Sequence, residues 1–150
     1  MTETNLTQAP SGGELGSNGR RSPIRSREWQ DDDLRSFLDA FNKHDVDRIM
    51  EFFADDCVLE TPRGPETWGT RFEGQAAVRE ILSYRFGWLP DMHYGRDEHW
   101  AMGKLGVSRW VLTGTSVDGE RIEVQGCDLM QLDDAGFISR KDSYWKIIQA

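Results

Sequence analysis

The chain has 150 residues, a formal net charge of −8, 37% hydrophobic residues and 29% charged residues. That length suits one domain with a real core, and the acidic balance argues against nucleic acid as a partner. No apolar run approaches the ~20 residues of a membrane span, and the N-terminus lacks the apolar stretch of a signal peptide. The two cysteines, Cys57 and Cys127, set neither a disulfide framework nor a metal spacing, and three scattered histidines make no metal site. A reduced, cytoplasmic protein with no membrane contact, metal or cofactor is expected.

Residues 1–27 are rich in Gly, Ser, Thr, Asn and Pro, with scattered apolar positions. Such a segment buries too little surface to offset its ordering entropy, so a disordered tail is expected, with one domain over 28–150. Asp31, Asp32 and Asp33 suit a helix N-terminus, where the macrodipole favours negative charge. Leu34, Phe37, Leu38 and Phe41 then fall on one helical face. Asp45 is placed to cap a second short helix carrying Val46, Ile49, Met50 and Phe53. Residues 57–61 read as a short strand stopped by Pro62, and the Pro- and Gly-rich stretch 62–74 reads as a loop. Ala76, Ala77, Val78, Ile81 and Leu82 mark a third helix ending near Gly87. Three long strands follow, over 93–102, 107–117 and 120–132, and a last one after the turn Asp133-Asp134-Ala135-Gly136. Helices followed by an antiparallel meander define an α+β class.

The strand over 120–132 carries the most telling residue. Its even positions, Ile122, Val124, Gly126, Asp128, Met130 and Leu132, are apolar or Gly except for Asp128. Alternate side chains of a strand face opposite ways, so Asp128 lies in a buried row. A buried carboxylate needs a partner or a raised pKa. Asp128 is therefore either a paired structural acid or a pocket acid or base, and both readings stand at this point.

Strand register suggests its neighbours. Asp118-Gly119, taken as a two-residue hairpin loop, puts Arg109 opposite Asp128, Val111 opposite Gly126 and Thr113 opposite Val124. Pairing Leu132 with Phe137 puts Lys141 on the other side of Asp128, Ser143 by Gly126 and Trp145 by Val124. Pairing Met102 with Val107 sets Trp100 beside Arg109. The expected pocket row is Trp100, Arg109, Asp128, Lys141, with a one-residue slip at the last turn as its weak link. Trp110, Cys127 and Leu129 share the opposite face and suit a homodimer interface. His99 has the parity of Trp110 and is expected to face outward.

The order of these elements resembles the NTF2-like superfamily. The segments FFADDCVLETP and GTSVDGERIEVQGCDLMQLDDAGFISRKDSYW carry the likeness, which is nearest to the SnoaL-like and ketosteroid-isomerase-like branch. The resemblance implies a strongly curved sheet forming a cone, with three N-terminal helices closing a pocket, and often a homodimer. On it, the isomerase's oxyanion-hole aspartate falls on Asp128. Its phenol donor falls on Phe37 and its general base on Thr61, so ketosteroid isomerase activity is not expected. No histidine stands in the second role of the polyketide cyclases. Gly126 breaks the Asp–Arg–Asp set of the epoxide hydrolases.

The expected function is binding of a small hydrophobic molecule, in its sharper form proton transfer on a carbonyl compound. Asp128 would act as acid, base or orienting carboxylate, with Arg109 and Lys141 stabilising developing negative charge. Phe37, Phe41, Trp100, Val111, Val124, Ser143 and Trp145 are the candidate ligand-binding residues. A non-catalytic dimeric binding module, and an interaction domain whose pocket its own side chains fill, are the alternatives. An open pocket above ~300 Å³ favours a ligand-binding reading over the last.

Overall fold

A computed structural model describes residues 19–24 and 28–150. Helix α1 spans Asp31–Asn42, α2 Val46–Glu51 and α3 Gln75–Trp88. Strand β1 spans Phe53–Glu66, β2 Gly69–Glu73, β3 His93–Met102, β4 Leu105–Thr115, β5 Arg121–Leu132 and β6 Ile138–Trp145. The α+β class read from the sequence is the one observed, as one six-stranded sheet in the order β2-β1-β6-β5-β4-β3. Every pairing is antiparallel except β1 with β6.

Local chemistry sets the helices. The Asp33 carboxylate accepts from the Gln30 backbone N–H at 2.6 Å and closes the start of α1, and Asp45 accepts from Arg48 N–H and caps α2. Leu34, Phe37, Leu38 and Phe41 are buried, as their spacing predicts. They face the sheet, with α1 packed chiefly on β3 and α3 on β1. Phe37 meets Trp29, Phe41, Phe52 and Phe53 edge-on, which fills this end of the cone with the chain's own rings.

Two sequence expectations change here. Phe53 opens β1 rather than closing α2. Residues 62–74, expected as a loop, mostly form the β1–β2 hairpin. Pro62 and Gly64 lie where the register shifts between Thr61 and Glu66, an irregularity that tolerates a residue with no N–H to donate.

The tail expectation over 1–27 divides in two. Residues 1–18 and 25–27 lie outside the described residues. Residues 19–24 dock on the domain and so depart from that expectation. Arg20 donates to the Phe53 carbonyl at 2.9 Å, pairs with Asp55 at 2.8 Å and lies over the Phe137 ring. The Ser22 hydroxyl and the Trp29 indole N–H both donate to the Gly136 carbonyl, and Ile24 is buried. One apolar side chain and three directed hydrogen bonds hold a segment whose composition alone reads as unstructured. Ile24→Ala in the full chain should lower stability by about 2–4 kcal/mol, the usual range for a truncated core aliphatic. Denaturant unfolding checks this, and a midpoint equal to wild type would refute the docking.

Candidate functional site

Asp128 sits on the concave face of β5 with 4% of its surface exposed. Ser143 lies directly opposite on β6 and Ser108 opposite on β4. The Asp128 Oδ1 accepts from the Ser143 hydroxyl at 2.6 Å and from the Lys141 ammonium at 3.1 Å. Its Oδ2 accepts from the Trp110 indole N–H at 3.0 Å. Lys141, itself 3% exposed, also donates to Ser143 Oγ at 3.0 Å and lies 5.2 Å from the centre of the Phe41 ring. Both carboxylate oxygens are engaged and the buried ammonium has a counter-charge, which is what makes burial of this pair tolerable.

Gly126 makes the arrangement possible. A Cβ there would collide with the Trp110 indole and the Tyr144 carbonyl. The missing side chain lets the indole of β4 lie across β5 and reach Asp128 from the side.

The expected pocket residues of β3 and β4 are corrected at three places. Arg109 pairs with Cys127, not Asp128, and stands on the convex face beside Gln125 and Glu98. Val111 pairs with Gln125 on that same face, and Trp100 pairs with Val107, with 49% of its surface exposed. The cause is the hairpin loop. Ser116 accepts from the Gly119 N–H and donates its own N–H to Glu120, so three residues, Val117, Asp118 and Gly119, make the turn. Gly119 takes φ +85°, the left-handed position of a three-residue loop. One extra residue flips every side chain of β4 relative to the expectation. Trp110 therefore points inward with 1% exposure and does not belong to an outer interface.

The last turn slips as well, since Leu132 pairs with Ile138 and a further shift follows. Ser143 rather than Lys141 then opposes Asp128. Lys141 keeps the concave face two positions away and reaches Asp128 along the diagonal. Phe37 and Phe41, expected to line a ligand pocket, are core residues, 3% exposed each. Val124 and Trp145 remain on the concave face, Val124 buried and Trp145 half-buried.

The sequence reading missed a second buried chain. His99 lies on the concave face opposite Ser108, with Nδ1 2.8 Å from Ser108 Oγ and Nε2 donating to Asp97 at 2.6 Å. His99 shares the parity of Trp110, as expected, and turns inward with it because the three-residue loop flips β4; a β-bulge between Gly95 and Glu98, with Arg96 at φ +49°, changes the parity only of the residues before it. Burial alone would lift the Asp97 carboxyl, but the hydrogen bond from His99 and its own backbone bond hold it below the usual range. Asp, His and Ser in this order invite comparison with a nucleophilic triad. Ser108 is 2% exposed, however, and the chain ties the edge strand β3 to β4. Among the described residues no group of three His, Cys, Asp or Glu is placed to hold a metal ion.

Open space lies further along the concave face. A cavity of about 550 Å³ is lined by Ile122, Val124 and Trp145, by Pro62 and Arg63 of the β1–β2 hairpin, and by Lys146, Ile147 and Ile148 after β6. Along β5 the concave side chains run Ile122, Val124, Gly126, Asp128. The Trp110 indole over Gly126 thus stands between this cavity and the Asp128–Lys141 pair.

Asp128→Asn should cost about 3–5 kcal/mol in denaturant unfolding, because it strands the buried Lys141 ammonium and turns an amide donor toward another donor. Lys141→Met should cost less, since Asp128 keeps the Trp110 and Ser143 hydrogen bonds. Two variants as stable as wild type would show that the pair braces nothing.

Residues 34–141 match the family model described as a SnoaL-like domain. No curated protein matches the chain. Among solved structures, a putative polyketide cyclase from Xanthomonas campestris pv. campestris is similar at TM-score 0.66 and 21% identity, over 75% of this chain and 87% of that one. An NTF2-like protein of unknown function from Mesorhizobium loti is similar at TM-score 0.63 and 29% identity, over 76% and 88%. The epoxide hydrolase/cyclase-like enzyme SalBIII, of pyran ring formation in polyether salinomycin, is similar at TM-score 0.61 and 22% identity, over 76% and 88%. With a family model covering most of its folded length and a curved, unclosed six-stranded sheet whose fold these structures share, the chain belongs to the SnoaL-like family of the NTF2-like superfamily.

Proposed function

We propose that this chain binds a small hydrophobic molecule in the cavity floored by Ile122, Val124 and Trp145, and that the Asp128–Lys141 pair is its internal brace. One observation carries this reading: the open space and the buried charges occupy different parts of the concave face. The cavity volume of about 550 Å³ falls within the range of small-molecule sites. It also speaks against a domain whose pocket is wholly filled by its own side chains. A general base must come within hydrogen-bond reach of the proton it takes. Asp128 has both oxygens engaged and the Trp110 indole in front of it. The geometry therefore favours binding over the isomerase- or cyclase-type chemistry suggested by the names of the similar structures. Nile red, a neutral dye, should bind the wild-type protein, and Val124→Phe, shown by circular dichroism to remain folded, should weaken it at least about tenfold. Equal binding by the variant would place the dye elsewhere. Turnover of a carbonyl compound that Asp128→Asn abolishes without loss of stability would make the protein an enzyme instead.

We also propose a homodimer packed through the convex face. Trp100, Val107 and Leu129 form a continuous row across β3, β4 and β5, with Leu105 and Met102 beside it. Trp100, Leu129, Leu105 and Met102 are each more than two-fifths exposed. Apolar side chains gathered on one open sheet face mark an interaction surface. Trp110, assigned to this face from sequence, is replaced in the role by Trp100. Cys57, deeply buried, and Cys127, half-buried, are free thiols raised by burial, Cys57 to about 11. Unreactive thiols of this kind suit a reducing, cytoplasmic setting. Leu129→Glu should give a monomer by sizing chromatography with light scattering, and a wild type already monomeric at micromolar concentration would end the dimer reading.

A further inference from the structure

Strand β6 stops before its neighbours do. Its last pair with β5 is Trp145 with Gly126, and the Lys146 N–H adds one more bond to the Gln125 carbonyl. Strand β5 starts at Arg121. Residues 121–124 therefore have β4 on one side and, among the described residues, no strand on the other. Strand β1 also runs on, to Glu66, past its last pair with β6 at Glu60. The cavity of about 550 Å³ occupies the gap this leaves. Arg121, Ile122, Glu123 and Val124 border it from β5, and Pro62 and Arg63 from β1. Side chains of both faces of β5 take part, so the space reaches the open edge of that strand. The chain leaves β6 at the mouth of this gap. Ile147 and Ile148 border the cavity with 90% and 69% of their surface exposed.

Two apolar side chains in water, beside an apolar floor and an open strand edge, have another place to go. Hydrogen-bonded and non-hydrogen-bonded pairs alternate along an antiparallel ladder, and the Lys146–Gln125 bond marks that pair as hydrogen-bonded. Counting on in the same register, Ile148 meets Glu123 in the next hydrogen-bonded pair, and Ile147 meets Val124 between the two. Ile147 has the parity of Trp145, so in that register it lands on the concave face against Val124. We propose that residues 146–150 are a strap, withdrawn in this structure, that extends β6 along β5 and covers the cavity floor with Ile147. The terminal bonds of a ladder open readily, which lets such a strap come and go. On the binding function proposed above, on which this inference rests, strap and ligand need the same Val124 surface and exclude each other. The strap keeps the apolar floor covered until a ligand displaces it.

The test locks the strap with a disulfide in the full-length protein. Glu123→Cys with Ile148→Cys sets two thiols on the convex side and leaves Val124 and Ile147 untouched. A hydrogen-bonded pair spans about 5.5 Å between Cα atoms, within disulfide reach. Glu123→Cys with Ile147→Cys is the control, since in the proposed register those side chains point to opposite faces. Both proteins carry Cys127→Ser, and none of the substituted positions is buried, so both should fold as wild type does. Under oxidised glutathione the first pair should close at least about tenfold faster than the control. The locked form should bind Nile red at least about tenfold more weakly than its own reduced form, and reduction should restore binding. Equal closure rates, or no closure, overturn the strap. A locked form that binds Nile red as well as the reduced one overturns the exclusion and leaves the binding function standing. If wild type binds no Nile red, the binding function fails and the exclusion with it, and the closure rates still decide the strap.

Discussion

A carboxylate buried in the concave face of a sheet is the constraint on which the site depends. Asp128 cannot remain there without donors, and the fold supplies three of them from two neighbouring strands. Each donor carries a further requirement. Trp110 must point inward, so β4 takes the register that a three-residue turn provides. Its indole must cross β5, so position 126 must lack a side chain. Lys141 must be buried, so its remaining protons turn to Ser143 and the Phe41 face. The helix that brings Phe41 to this place is therefore fixed to the sheet by more than apolar contact.

Much of this was legible in the sequence at the level of periodicity. The apolar face of α1, the cap of α2 and the inward row of β5 follow from spacing alone, because a regular element repeats its geometry at every residue. What failed was the counting of residues in turns. Asp118-Gly119 looks like a two-residue loop, yet Val117 joins it, and Gly119 adopts the left-handed conformation at the third position. The choice between a two-residue and a three-residue loop depends on whether Ser116 and Glu120 pair, which local composition does not decide. That single residue moved Arg109, Val111 and Trp100 to the convex face and brought Trp110 inside. The same residue turned His99 inward, since His99 pairs with Ser108 and keeps the parity of Trp110.

The Asp128–Lys141 contact was reached by a partly wrong route. Lys141 was placed directly opposite, whereas Ser143 holds that position and Lys141 comes in diagonally. A long side chain spans a two-residue offset on the same face, so the pairing tolerates an even slip that a short side chain would not. The cavity was less legible, since it is shaped by the end of β6 and by the β1–β2 hairpin, in a stretch read as loop. Its separation from the buried charges depends on one indole, and no sequence pattern marks an indole as a partition.

The parallel pairing of β1 with β6 has a kinetic side. These two strands lie near opposite ends of the folded domain, and β6 separates β1 and β2 from the rest of the sheet. Strands β3, β4 and β5 can form as successive hairpins through local contacts. The β1–β2 hairpin and the helices packed on it gain their place in the sheet only when the last strand has been made and inserted between them. Closing so long a loop must precede the contacts that reward it, so this step should limit the folding rate. During synthesis the open edge of β1 would wait, uncovered, for residues still inside the ribosome.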